Sequence, residues 1–356
     1  MLEKFIKTRN IEKSTIKGYL TTISQYENFH NMSIDELVNE AWDDEENITN
    51  IHNRRIKERI LEFRTALIET RDLETSTINN KLGKLQSFYT HYGITFPPVK
   101  GLKNKKPQLT YFDLPNKKHI SLALESTGIQ NQALILFIAS SGTGKSECAS
   151  ITIADFIKAT EEYHEGGSLE EILDTLWKVK EIIVPTFALI RQKTNKQYYT
   201  FCTPEATFAI IRYLKYRLKV LDNKNKKEKT ELTLDLDEPL FGMTARSIGD
   251  RLTNINDKLD FGFKGKYRFF RPHTLRKFHA SNIGLSAEYI DELQGRSKDI
   301  VHDTYIKSNP KFLKQVYMNV MDNVTIKLEE QRVVTNEEYN INLHLHFHEE
   351  GMTTIL

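Results

Sequence analysis

Arg271-Pro272-His273-Thr274-Leu275-Arg276, followed by Gly295-Arg296 and then Tyr305, is the stretch on which the reading of this chain turns. His273 and Arg276 stand three positions apart, which places both on one face of a helix. Arginine carries a planar fork matched to two phosphate oxygens. Histidine exchanges a proton near neutral pH. Tyr305 falls nine residues after Arg296, and a phenolic oxygen that loses its proton is a nucleophile. Taken singly, each part has a plainer reading: a helix cap with a surface cation, or one packing tyrosine among 15. Their joint register brings a phosphate clamp, a proton carrier and a nucleophile into one C-terminal segment.

Upstream, two strand patterns, Glu181–Ile190 and Gln197–Thr203, flank the turn Arg191-Gln192-Lys193-Thr194-Asn195-Lys196. Lys193 and Lys196 both stand at this tip, for which the plain reading is a charged hairpin turn. Helical patterns cover Gln130–Ala139 and start again near Lys145, Pro204, Ala245, Thr274, Ala287 and Asp299. The region therefore reads as mainly helical with one small sheet.

Residues 1–105 read as a bundle of about four helices. Segments start at Ser14 and Ser76, both taken as N-caps, and further patterns run over Ser33–Ala41 and Asn47–Thr70. Phe96-Pro-Pro-Val-Lys-Gly-Leu-Lys-Asn-Lys-Lys-Pro107 breaks the pattern and reads as an exposed basic linker, suited to a clamp closing on a duplex. The organisation expected is a helical domain over 1–105, a second domain over 106–330 and a tail over 331–356. In that tail His344, His346 and His348 alternate with Leu343, Leu345 and Phe347. A metal site is conceivable there; an amphipathic strand that adds to a sheet edge in a neighbouring subunit is the plainer reading.

The 356 residues suit about two domains. No apolar run reaches the ~18 residues of a membrane span, and Met1–Lys7 lacks a signal-peptide core. Two cysteines, Cys148 and Cys202, point to a reducing cytoplasm rather than a disulfide framework. Net charge is only +2, but basic residues cluster at Lys100–Lys118, Lys224–Lys229 and Lys264–Lys277. Such patches hold phosphate backbones whatever the total charge. The Lys224–Lys229 group reads as a solvated loop; the last group is interleaved with Tyr267, Phe269 and Phe270.

With these residues in view, the chain resembles the tyrosine recombinases, phage integrases and their archaeal and viral relatives. Asp237-Glu-Pro-Leu-Phe-Gly242 and Phe312–Val320 also resemble stretches of that family, so the likeness spans most of the chain. It implies an α+β architecture, mainly α with a small β-sheet: an N-terminal helical core-binding domain and a catalytic domain. It implies DNA cleavage through a 3′-phosphotyrosine at Tyr305, with Arg276 and His273 at the phosphate and Lys193, in the hairpin turn, as the proton donor to the departing 5′ oxygen, Lys196 being the alternative. It further implies double-stranded DNA as partner, a homo-tetramer on paired sites, and no metal, nucleotide or other cofactor.

One element departs from the family. Its first arginine aligns with Gly144 in Ser141-Gly-Thr-Gly144-Lys145-Ser-Glu147. Lys145 and Arg296 are the candidates to replace that charge. The gap also leaves open a DNA-binding relative impaired in catalysis. The same stretch, Ala139–Ser146, fits a relaxed phosphate-binding loop. Leu134–Ile138 would then be its preceding strand, and Leu234–Glu238 a charge-interrupted metal-binding strand.

Overall fold

Apolar helix faces build two separate cores in this chain. The computed structural model describes residues 1–70, 73–103, 110–296 and 309–326. The chain divides into two units, Met1–Gln108 and Leu109–Leu356.

The first unit is helical: α1 (Leu2–Thr8), α2 (Lys13–His30), α3 (Ile34–Asn47), α4 (Arg55–Glu69) and α5 (Thr75–His91). Phe5, Ile23, Tyr26, Val38, Ile60 and Phe88 are fully buried at its centre. Ser33 and Glu36 form a reciprocal capping box at the start of α3. The helix expected from Asn47 onward is divided: α3 runs through Asn47, a tight turn covers Ile51–Asn53, and α4 begins at Arg55. The cause is Asp44, whose carboxylate accepts the Arg55 backbone N–H at 2.6 Å and the Arg55 guanidinium at 2.7 and 2.9 Å. An anion at a helix N-terminus satisfies groups that would otherwise lack partners. The N-caps expected at Ser14 and Ser76 are also corrected. Both residues lie inside the first turn, and Glu12 and Glu74 occupy the cap positions without a side-chain cap bond.

The linker reading is corrected as well. Phe96, Val99 and Leu102 pack against the first core. Asn79 exchanges two 2.9 Å hydrogen bonds with the backbone of Leu102. Apolar side chains at this spacing lay the segment down as far as Leu102.

The second unit contains α6 (Lys117–Glu125), α7 (Ile129–Ser141), α8 (Lys145–Ser150), α9 (Ile153–Ala159) and α10 (Leu169–Lys178). Strands β1 (Thr186–Arg191) and β2 (Lys196–Phe201) follow, then α11 (Pro204–Glu228) and α12 (Ala245–Lys258). The described part closes with β3 (Phe263–Lys264), β4 (Tyr267–Arg268), α13 (Pro272–Asn282), α14 (Ala287–Leu293) and α15 (Pro310–Met318). Helix α7 is buried on every side from Gln132 to Ser141 and packs against α11 and α13. Being apolar all round, it belongs at the centre of a domain rather than on its face.

Four sequence expectations change here. Leu134–Ile138 is helix, not strand, so the phosphate-binding-loop reading loses the strand it needs. There are two two-stranded antiparallel sheets among the described residues, not one; strands of two residues leave no alternation to read. Strand β1 starts at Thr186 because Pro185 cannot donate to a ladder. Lys224, Lys226 and Lys227 stand on the last turns of α11, where Lys226 pairs with Asp222 at 2.6 Å, and Lys229 caps it with left-handed backbone. The expected helix at Asp299, Tyr305 itself and the tail histidines lie outside the described residues.

Candidate active site

Helix α13 opens with Pro272 at its first position, and Thr274 Oγ1 accepts the Arg271 backbone N–H at 3.1 Å. This start sets His273 at the solvent edge and turns Arg276 inward, leaving it 8% exposed. Arg276 is the hub of the site. Its Nη1 donates to the Gly142 carbonyl oxygen at 2.8 Å, and its Nη2 to the Gln294 carbonyl oxygen at 2.8 Å. Gln294 returns a bond from Nε2 to the Arg276 carbonyl at 3.2 Å and another to His279 Nδ1 at 3.0 Å. Three segments far apart in sequence are thereby tied at one point: the turn after α7, helix α13 and the turn after α14.

Two glycines allow this closure. Gly142 has φ +67°, and a Cβ there would lie 2.6 Å from both Gln294 Nε2 and His279 Nδ1. Gly295 has φ +61°, and its Cβ would lie 2.5 Å from Tyr198 Cδ1. Each position needs both left-handed backbone and the lack of a side chain.

Gly144 adjoins the hub. A Cβ there would run into the Glu147 carboxylate and lie 3.7 Å from Arg276 Nη1. Glu147 is buried, while Lys145, on the first turn of α8, is exposed. Lys193 is exposed at the β1–β2 tip, which is closed by the Asn195 N–H donating to the Arg191 carbonyl at 2.8 Å. Lys196 differs: its Nζ reaches Glu292 Oε1 at 3.5 Å and the Arg296 carbonyl at 3.4 Å. Arg296 Nη1 lies 3.6 Å from Asp291 Oδ1, and its side chain is 42% exposed. Among the basic–aromatic cluster, Phe269 and Phe270 belong to the core, whereas Arg271 stacks 4.4 Å from the Tyr267 ring centroid.

The site is strongly electropositive. Burial, and then Arg191, push Arg276 down to about 10; Tyr198 pulls the other way, and Arg296 lowers it further. It stays protonated at neutral pH. Burial, followed by Arg271, Lys277, Arg276 and Arg296, lowers His273 below the usual histidine value. Its imidazole is therefore neutral near pH 7 and free to accept a proton. His279, wholly buried, is pushed down to about 3 by burial and then by Arg276 and Arg296. Burial also raises both thiols, Cys202 to about 12, in keeping with packed rather than reactive cysteines.

Arg191, Gln294, Glu147 and His279 were not candidates from sequence. The nearest signal was the placing of Arg191 beside Lys193; Gln294 acts largely through its backbone oxygen, which no motif encodes. Among the described residues, no group of three or more His, Cys, Asp or Glu is placed to hold a metal ion. No helix among them is long and apolar enough to cross a membrane.

The described fold is mainly helical with two small antiparallel sheets, and a solved structure shares it. A lambda integrase fragment, crystallised as a dimer bound to a COC′ core site, superposes with a TM-score of 0.50 at 12% identity, covering 86% of this chain and 95% of that one. Residues 1–93 match the family of phage integrase N-terminal SAM-like domains. Tyrosine recombinase XerC of Listeria innocua serovar 6a is 24% identical over 265 residues, 70% of this chain and 77% of its own length. The TnP I resolvase of Bacillus thuringiensis is 25% identical over 325 residues, 87% of this chain and 94% of its own length. The chain is thus similar to tyrosine recombinases and integrases over most of its length.

Proposed function

We propose that the protein is a site-specific DNA recombinase that cuts and rejoins duplex DNA through a 3′-phosphotyrosine at Tyr305. The observation that carries this reading is the Arg276 hub, a buried guanidinium held by carbonyl oxygens rather than carboxylates. A cation so held keeps its charge for an outside anion.

In the proposed reaction the Tyr305 oxygen attacks the scissile phosphorus. A new P–O bond to tyrosine forms as the bond to the 5′ oxygen breaks. The phenolic proton passes to the neutral imidazole of His273, and the Lys193 ammonium protonates the leaving 5′ oxygen. Arg276 neutralises the charge that gathers on the non-bridging oxygens. The ester energy is conserved, so an incoming 5′ hydroxyl reverses the step without nucleotide or metal. Lys145 and Arg296 are proposed to add positive charge where Gly144 leaves a gap. The N-terminal unit is proposed to bind the duplex, and four copies to act on two sites.

Gly144 also favours a second reading, a DNA-binding relative impaired in cleavage. Covalent trapping separates the two. Wild type and Tyr305→Phe are mixed with nicked duplexes that tile the flanks of the gene, and complexes surviving SDS are counted. A Tyr305-dependent adduct is expected, its yield giving way at a lower pH than an ordinary histidine would set, because burial and the neighbouring cations lower His273. Salt-sensitive binding with no adduct on any tile would favour the second reading.

A further inference from the structure

The hub contains a second guanidinium, and its placement has no counterpart in the sequence expectations. Arg191, the last residue of β1, donates from Nη1 to the Gln294 carbonyl oxygen at 2.7 Å. Arg276 Nη2 donates to that same oxygen at 2.8 Å. Two forks thus meet on one backbone atom. Neither has a carboxylate oxygen within ion-pair distance among the described residues, although elsewhere in the chain arginines commonly do. Holding like charges together is costly; the buried Glu147 carboxylate offsets part of that cost at Arg276 without ion-pair contact, and an incoming anion would offset more. Arg276 supplies the deeply buried member. Arg191 is half-buried, and among the described residues this is the one hydrogen bond its side chain makes, so most of its five N–H donors remain available.

Position 144 explains why a second fork enters from β1. It adjoins Arg276 Nη1, but the space a side chain would need is taken by the Glu147 carboxylate. Lys145 is exposed and, as an ammonium, offers a point charge rather than a fork. Arg296 is drawn toward Asp291. Of the cations around Arg276, Arg191 exerts the largest charge effect on it.

We infer that Arg191, reaching in from the end of β1, is the second phosphate-gripping guanidinium of this site and supplies the charge that Gly144 lacks. The inference rests on the recombinase reading above. It makes Arg191 a catalytic residue that touches the scissile phosphate, with the turn at Gln294 as its seat.

The test is adduct formation on a nicked duplex carrying either phosphate or an uncharged methylphosphonate at the scissile position. Arg191→Ala is expected to slow trapping on phosphate by roughly 100-fold or more. On methylphosphonate, where there is no charge left to neutralise, most of the gap from wild type should close. Arg191→Gln keeps a donor for the Gln294 oxygen without the charge and should behave alike, which covers the case in which alanine unfolds the protein. Trapping by Arg191→Ala at the wild-type rate would overturn the inference and leave the recombinase reading intact. So would a loss that methylphosphonate does not relieve, since Arg191 would then only brace the turn. Failure of wild type to form any adduct would remove both.

Discussion

The arginines that fix the first unit and those of the hub end on different partners, and the difference separates stability from chemistry. In the first unit they end on carboxylates: Arg59 Nη2 lies 2.9 Å from Glu40 Oε2, Arg55 Nη2 lies 2.7 Å from Asp44 Oδ1, and Arg54 pairs with Glu45. In the second unit Arg276 and Arg191 end on backbone carbonyl oxygens. A carboxylate cancels the charge; a carbonyl dipole orients it and leaves it standing. The first arrangement fixes helices. The second costs stability and builds a potential that a phosphate can lower. Substitutions in the first unit should therefore be read in melting curves, and those at the hub in cleavage.

The largest expected effect is at the hub. Arg276→Ala should reduce Tyr305-dependent trapping by ~10³-fold or more, since both the charge and the seating of the site are lost. The check is the trapping rate at saturating DNA, set beside the thermal midpoint. A variant that unfolded at lower temperature yet cleaved normally while folded would break the comparison, because Arg276 would then be structural like Arg55.

The counterpart in the first unit is Asp44→Ala. It removes three hydrogen bonds to Arg55, one of them to the first backbone N–H of α4. Arg55 is half exposed, so water recovers part of the loss. Roughly 2 kcal/mol of stability should go, within the range for a lost helix cap and charged hydrogen bonds. Burial alone would raise the Asp44 carboxyl, but the bonds from Arg55 outweigh it and hold it below the usual range. The contribution is thus present above the ordinary aspartate value and fades as pH falls through the lowered one. Denaturant melts of the variant and wild type at pH 7 and pH 3 test this: the gap should shrink in acid.

What could be read from the sequence follows the same division. Helices with apolar periodicity announce themselves, and α7 is visible as an apolar run because it is buried all round. The capping boxes of α9 and α10, Thr152 with Asp155 and Ser168 with Glu171, are also written locally. His273 and Arg276 stand out because their spacing is local. Arg191 does not, since its partner is a backbone oxygen 103 residues away. Gly144 reads from sequence as a missing charge; the structure adds that Glu147 fills the space beside it. Long-range ties through main-chain oxygens carry no residue signature, so this part of the hub was closed to sequence reasoning.

The smallest effect sharpens the comparison from a third side, that of a buried group kept neutral. His279 packs beneath Arg276, with Gln294 Nε2 donating to its Nδ1, and burial followed by Arg276 and Arg296 pushes it down to about 3. Burial is the larger cause, and the two cations above add to it. Because the folded value lies below the unfolded 6.5, the unfolded chain binds the extra proton between the two, and stability falls as pH drops through 6.5. Between pH 7 and pH 5.5 this group should cost about 1 kcal/mol. His279→Gln, which removes the titration, should flatten that part of the stability curve even if it lowers the whole of it. An unchanged slope would mean that His279 accepts a proton in the folded state, and that the cations above it are already balanced by an anion.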